Sequence, residues 1–181
     1  ANYIGRDPVF WWNNPVNDDY DEFLYLHGLT VRWTIEQQGA VSRMKGFLLN
    51  PMNQGQASKV CLFSGADYAW NPEAFNEQSS WEASLKSIVK TDENVQALRD
   101  FIRVMSAYST LNTKTPEGEE FADLYAEFKT CISNFTPESL AEVEELYTIM
   151  TRTIEACDQL SAMADSSDED CRLFLIDIEP W

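Results

Sequence analysis

Within residues 10–20, FWWNNPVNDDY, two tryptophans, three asparagines and two aspartates crowd around one proline. The side chains suit a neutral sugar. An indole face stacks on the apolar C–H face of a sugar ring. A carboxamide offers both a donor and an acceptor, as a hydroxyl or an acetamide requires. A carboxylate accepts two hydroxyl hydrogens in charge-assisted bonds of about 1.5–3 kcal/mol each. The competing reading is structural, with Asn13 and Asn14 only shaping a turn and the tryptophans only filling core. Neighbours on a strand point to opposite faces, so Trp12 is assigned to the core. Trp11, Asn13 and Asp18 are assigned to a ligand.

Something must position that loop. PVFWW, residues 8–12, is a short apolar run stopped by Asn13-Asn14-Pro15, which reads as a buried strand and a loop. Phe47-Leu48-Leu49, stopped by Asn50-Pro51, repeats the plan. Residues 56–70 then carry Ala57, Val60, Cys61, Ala66 and Tyr68 at helical spacing, while 21–42 resist assignment. Strand, polar loop, strand, polar loop, helix is the grammar of a parallel α/β layer, in which loops at the strands' C-terminal ends carry the chemistry.

From residue 73 onward the pattern is helical. Ser79 with Glu82 reads as a capping box. Val95, Leu98, Ile102 and Met105 share one face, as do Phe121, Leu124, Phe128, Cys131 and Ile132. Thr136 and Pro137 open the strongest helix. In it Leu140, Val143, Tyr147, Met150, Ile154 and Cys157 form an apolar seam toward other helices. The acidic string 165–170, DSSDED, reads as a solvated loop, since it lacks the glycine and closing glutamate of a calcium loop.

A formal charge of -17, from 30 acidic and 13 basic residues, argues against nucleic acid and against anionic lipid. No apolar run reaches the roughly 18 residues that a membrane span needs. With one histidine, His27, and four cysteines forming no CxxC pair, no metal site is expected, and the cysteines are read as reduced and structural. An N-terminal ANYIGRD without methionine suggests a chain that starts within a longer one.

WWNNPVNDDY, GFLLNPMNQGQASKV and ADYAWNP resemble consecutive motifs of glycoside hydrolase family 84, the β-N-acetylglucosaminidases that include O-GlcNAcases and enzymes once described as bacterial hyaluronidases. The resemblance is close from residue 8 to about 90 and looser beyond, where LFLIDIEPW is similar to part of the family's C-terminal bundle. It implies a mixed, mainly α chain: the last two β/α units of a (β/α)8 barrel, residues 1–72, and a helical bundle, residues 73–181, that is incomplete.

It further implies that Trp11 lines the sugar pocket, that Asn13 sits beside the reacting centre, that Asp18 binds the O4 and O6 hydroxyls and that Asn50 binds a ring hydroxyl. Relatives usually carry one aspartate before the tyrosine, whereas this chain reads Asp18-Asp19-Tyr20. Spacing from Asn13 selects Asp18, and adjacency to Tyr20 would select Asp19. In this family the substrate's own N-acetyl oxygen attacks the anomeric carbon with net retention, a departure from the enzyme-nucleophile scheme. An adjacent aspartate pair after strand four orients the acetamide and supplies acid and base. No counterpart of strand four is found here, so no catalytic residue is expected within the chain, and Asp18-Asp19 belongs to the later motif.

The expected partners are an N-acetylglucosamine-containing glycan or glycoprotein and the upstream barrel segment. A homodimer covering the open strand edge is a further expectation. No cofactor is implied, and similarity to bacterial members implies a secreted or cell-surface location. The alternative is a non-catalytic acidic helical interaction module. An intact lectin-like fold would need more strands than the sequence offers.

Overall fold

Two four-residue strands, β1 (Val9–Trp12) and β2 (Gly46–Leu49), pair in parallel, with Val9 opposite Gly46 and Trp12 opposite Leu49. Six helices follow: α1 (Lys59–Trp70), α2 (Glu77–Val89), α3 (Asp92–Met105), α4 (Pro116–Ser133), α5 (Ser139–Ala162) and α6 (Glu169–Ile178). The computed structural model describes residues 5–18, 24–28, 44–105, 116–133 and 139–181. Among these the chain is mainly helical. It forms two units, Ala1–Leu85 and Lys86–Trp181.

In the first unit α1 packs on the strand pair. Cys61 and Tyr68 are buried with Trp12, Met44, Phe47, Leu49 and Phe75 around them. The Tyr68 ring meets Phe75 edge-on at 5.3 Å, and Trp12 meets Phe47 edge-on at 6.0 Å. Gly65 allows the close approach of helix and sheet, because a Cβ there would collide with Leu49 Cδ1. Ser64 and Gly65 therefore face inward, and Ala66, expected there, is exposed.

The strands themselves are not buried as expected. Val9, Phe10, Trp11 and Leu48 are exposed. In a two-stranded sheet α1 covers the face of Trp12, Phe47 and Leu49, and Val9, Trp11 and Leu48 on the opposite face stay in solvent, while Phe10, on the α1 face, is covered only in part. Of the unassigned stretch 21–42, residues 24–28 are described. They are irregular, and Leu24, Tyr25, Leu26 and His27 are buried. Trp81 Nε1–H donates to Leu26 O at 2.9 Å, which ties α2 to that segment.

α2 starts earlier than the proposed capping box requires. Asn76 Oδ1 accepts from Ser79 N at 2.9 Å, so Asn76 is the cap and Ser79 lies inside the first turn. Glu82 Oε1 instead accepts from Gln78 Nε2 at 2.8 Å. The Ser79–Glu82 spacing does not act as a capping box here, because an asparagine three residues upstream takes the capping role.

In the second unit α3 buries Val95, Leu98, Phe101 and Ile102. Leu124 of α4 and Leu146 and Ile149 of α5 form a cluster bordered by Val104, Phe121 and Phe128. The expected α5 seam is displaced by one residue. Leu146, Ile149, Ala156 and Leu160 are buried, whereas Tyr147, Met150 and Ile154 are exposed. Both lines are apolar at helical spacing, and α3 and α4 settle which one is covered. The Thr136–Pro137 start and the side chains of Cys131, Ile132 and Leu140 lie outside the described residues.

The acidic string 165–170 proves to be partly a helix start. Asp168 caps α6, its carboxylate accepting from Cys171 N at 3.0 Å, and Glu169 and Asp170 occupy the first turn. Carboxylates there complement the partial positive charge of the helix N-terminus. Cys61, Cys157 and Cys171 are free thiols. No helix among the described residues is long and apolar enough to cross a membrane.

Candidate functional site

Because β1 and β2 are parallel, the polypeptide leaves both at the same edge, and the two asparagine-proline loops lie side by side. Backbone bonds continue the ladder past the strand ends. Asn50 N donates to Trp12 O at 2.9 Å, and Val16 N donates to Asn50 O at 2.9 Å. Three of the four sequence-predicted residues meet there.

Trp11 is 68% exposed, and its Nε1–H donates to Asn13 Oδ1 at 2.7 Å. Asn50 Nδ2 donates to the same oxygen at 3.3 Å. An indole nitrogen only donates, so this bond assigns the orientation of the Asn13 carboxamide. Asn13 Nδ2 is then left as a donor and Asn50 Oδ1 as an acceptor, both beside an exposed indole. Asp18 is exposed five residues beyond Asn13 on the same loop. Asp19 and Tyr20 lie outside the described residues. The edge therefore offers one donor, one acceptor and one aromatic face, a set that fits a neutral polyhydroxylated ring, and Asp18 is exposed further along the first loop.

The residues that hold this edge were not singled out from sequence. Asn14 is buried, and its Nδ2 donates to Cys61 Sγ at 3.3 Å, which anchors the first loop to α1. Asn17, 1% exposed, bridges the loops: Nδ2 donates to Gln54 Oε1 at 2.9 Å, and Oδ1 accepts from Asn53 N at 3.2 Å. Ser58 Oγ accepts from Met52 N and donates to Gln54 O, both at 2.9 Å, which closes the second loop onto α1. The only available signal was the density of asparagines. Their type does not tell which ones turn inward.

Electrostatics separate structural from chemical groups. Burial pushes the Cys61 thiol up to about 12, so it remains protonated and serves as a soft acceptor. His27 is buried, and Nδ1–H donates to Gly28 O at 2.6 Å. Desolvation outweighs that bond and holds its pKa below the usual histidine value, so the ring is neutral at neutral pH. Among the described residues, no group of three His, Cys, Asp or Glu side chains could hold a metal ion.

Similar architecture occurs in solved enzymes. An O-GlcNAc hydrolase mutant of Thermobaculum terrenum superposes with a TM-score of 0.75 at 22% identity, covering 99% of this chain and 35% of that one. CpGH84B gives 0.72 at 22% identity, covering 97% and 29%. CpGH84D gives 0.71 at 28% identity, covering 98% and 28%. This chain thus spans about a third of the length of those enzymes or less. A family model for β-N-acetylglucosaminidases matches residues 1–103, more than half of the sequence, and the chain belongs to that family, glycoside hydrolase family 84.

Proposed function

We propose that the chain supplies one wall of the sugar pocket of a retaining, substrate-assisted β-N-acetylglucosaminidase acting on terminal β-linked N-acetylglucosamine of glycoproteins or glycans. The observation that carries the proposal is the hydrogen-bonded trio Trp11–Asn13–Asn50 at the C-terminal edge of a parallel strand pair. That edge is where barrel enzymes assemble their sites.

In this reading β1 and β2 are the last two strands of a (β/α)8 barrel within residues 1–72, and residues 73–181 form a helical bundle domain. The exposed apolar side chains of Val9, Phe10 and Leu48 support it, because further strands and helices would bury them. Trp11 stacks on the sugar ring. Asn13 Nδ2 donates to an oxygen beside the reacting centre, Asn50 receives a ring hydroxyl, and the Asp18 carboxylate accepts from O4–H and O6–H. The catalytic aspartate pair comes from another segment, so the wall binds and orients while proton transfer happens elsewhere.

The test is hydrolysis of a chromogenic β-N-acetylglucosaminide by the 181-residue chain. The expected result is no turnover alone and turnover when a segment carrying the first six barrel units is added in trans. Turnover by the chain alone would overturn the assignment of the catalytic pair to another segment. Silence in both conditions would remove the glycosidase role.

A further inference from the structure

Trp11, Asn13 and Asn50 form a short chain of hydrogen bonds whose directions all follow from its first member. The indole Nε1–H is a donor only, so the Asn13 atom opposite it at 2.7 Å has to be the oxygen. The same oxygen takes Asn50 Nδ2–H at 3.3 Å, so Asn50 in turn shows its nitrogen to Asn13. Backbone bonds hold the two loops at this spacing, from Asn50 N to Trp12 O and from Val16 N to Asn50 O, both at 2.9 Å. Among the described residues, Asn13 Nδ2 and Asn50 Oδ1 make no further hydrogen bond and stand ready at the strand-end edge.

A carboxamide keeps nearly the same shape after a half-turn that exchanges its oxygen and nitrogen. Taken alone, the Asn13–Asn50 pair therefore has two equivalent arrangements. Either Asn50 Nδ2 donates to Asn13 Oδ1, or Asn13 Nδ2 donates to Asn50 Oδ1. The two present opposite polarity to a ligand. In the first, Asn13 offers a donor and Asn50 an acceptor, and in the second these roles exchange. The second arrangement sets the Asn13 amino group against the indole N–H, two donors with no acceptor between them. One net hydrogen bond is enough to bias the pair about fivefold to tenfold. The indole N–H breaks the tie.

We propose that Trp11 is a positioning and specificity-determining residue whose indole N–H locks the polarity of the Asn13–Asn50 pair, beyond the stacking face that its ring supplies. The lock follows from the geometry, and its consequence for the substrate rests on the sugar-pocket reading above. The ring hydroxyl at Asn50 must donate its hydrogen, and the substrate oxygen at Asn13 must accept one. A group that accepts and never donates, such as fluorine, is thus refused at Asn50. A Trp11→Phe change keeps an aromatic face and removes only the hydrogen that sets the direction.

Two measurements test this. On the 181-residue chain, NMR titration follows the new carboxyl of an Asn50→Asp variant. With Trp11 in place that carboxyl faces the locked Asn13 oxygen, so it keeps a proton to donate and titrates above the ordinary aspartate value of about 3.9. In Trp11→Phe/Asn50→Asp the freed Asn13 turns its amino group to the carboxylate, and proton affinity should fall about threefold or more. Asp18 and the other loop charges are common to both variants and cancel. Trp11 is exposed and Asn50 half-buried, so circular dichroism spectra of both variants should match the wild type. In the assembled enzyme, N-acetylglucosamine analogues with one ring hydroxyl each replaced by fluorine are compared as inhibitors. Fluorine at the position facing Asn50 should weaken wild-type binding about tenfold, and Trp11→Phe should cut that penalty to about threefold or less. Equal titration midpoints in the single and double variants would overturn the lock. An unchanged fluorine penalty in Trp11→Phe would overturn the specificity role. Different midpoints, with no sugar analogue bound by the wild type, would uphold the lock and remove the sugar-pocket reading instead.

Discussion

Asn17 and Asp18 are sequence neighbours in opposite environments. Asn17 is buried between two loops with both ends of its carboxamide engaged, while Asp18 is exposed. Replacing Asn17 by alanine leaves the Asn53 N–H and the Gln54 side chain short of a partner. Asn17→Ala should therefore cost about 1–3 kcal/mol in urea unfolding. Asp18→Ala should stay within about 0.5 kcal/mol of the wild type. It should instead abolish retention of N-acetylglucosamine-type ligands in the assembled enzyme, and a variant that binds as before would remove Asp18 from the pocket. His27 gives a second prediction at this scale. Its folded pKa lies below the unfolded value, so the unfolded chain binds the extra proton first. Its contribution is fully present above about pH 6.5 and is lost as pH falls below that value. Melting temperatures at about pH 7.5 and about pH 5.5 should differ more for the wild type than for His27→Gln, in which the titrating group is gone. The chemistry-bearing types at these positions could be read from sequence because tryptophan, asparagine and aspartate cluster so densely. Their division into pocket and scaffold could not, because asparagine serves both roles with one side chain.

At the scale of the element, α5 carries the sharpest contrast between pattern and packing. Two apolar lines run along it, one through Leu146, Ile149, Ala156 and Leu160, the other through Tyr147, Met150 and Ile154. Periodicity reports that both exist and is silent on which is covered. Leu146→Ala should destabilise by about 2–4 kcal/mol, as cavity-forming core changes do. Tyr147→Ser should shift the unfolding midpoint by less than about 0.5 kcal/mol. Reversed magnitudes in chemical denaturation would restore the seam expected from sequence. The start of α2 makes a similar distinction. Asn76→Ala should cost about 1 kcal/mol, the usual worth of a lost N-cap, and Ser79→Ala should be nearly neutral. A helix boundary is hard to place from sequence because Asn76 and Ser79 are equally good caps. The bond from Ser79 N to Asn76 Oδ1 selects between them.

For the whole molecule, charge is the dominant property. With 30 acidic and 13 basic residues, the described ion pairs consume cations that are already scarce, as with Lys86 and Asp92, Lys90 and Asp168 at 3.3 Å, and Arg152 and Asp100 at 2.9 Å. Remaining carboxylates repel one another and favour expansion. Raising ionic strength from about 0.01 M to about 0.15 M shortens the Debye length from about 30 Å to about 8 Å. The melting temperature should therefore rise with salt. A fall would show that the few ion pairs outweigh the general repulsion.

Much of this architecture is written locally. The two apolar runs ending in Asn-Pro, the helical periods from residue 73 onward and the acidic balance follow from covalent order, since each depends on residues within a turn or a strand of one another. The tertiary structure decided the rest. It placed Trp11, Asn13 and Asn50 in one hydrogen-bonded group, because parallel pairing carries positions 37 residues apart to a common edge. It turned Asn14 and Asn17 inward toward Cys61 and Gln54, and it chose the Leu146 line over the Tyr147 line. Burial is a property of the neighbour that arrives, and that neighbour is remote in the chain.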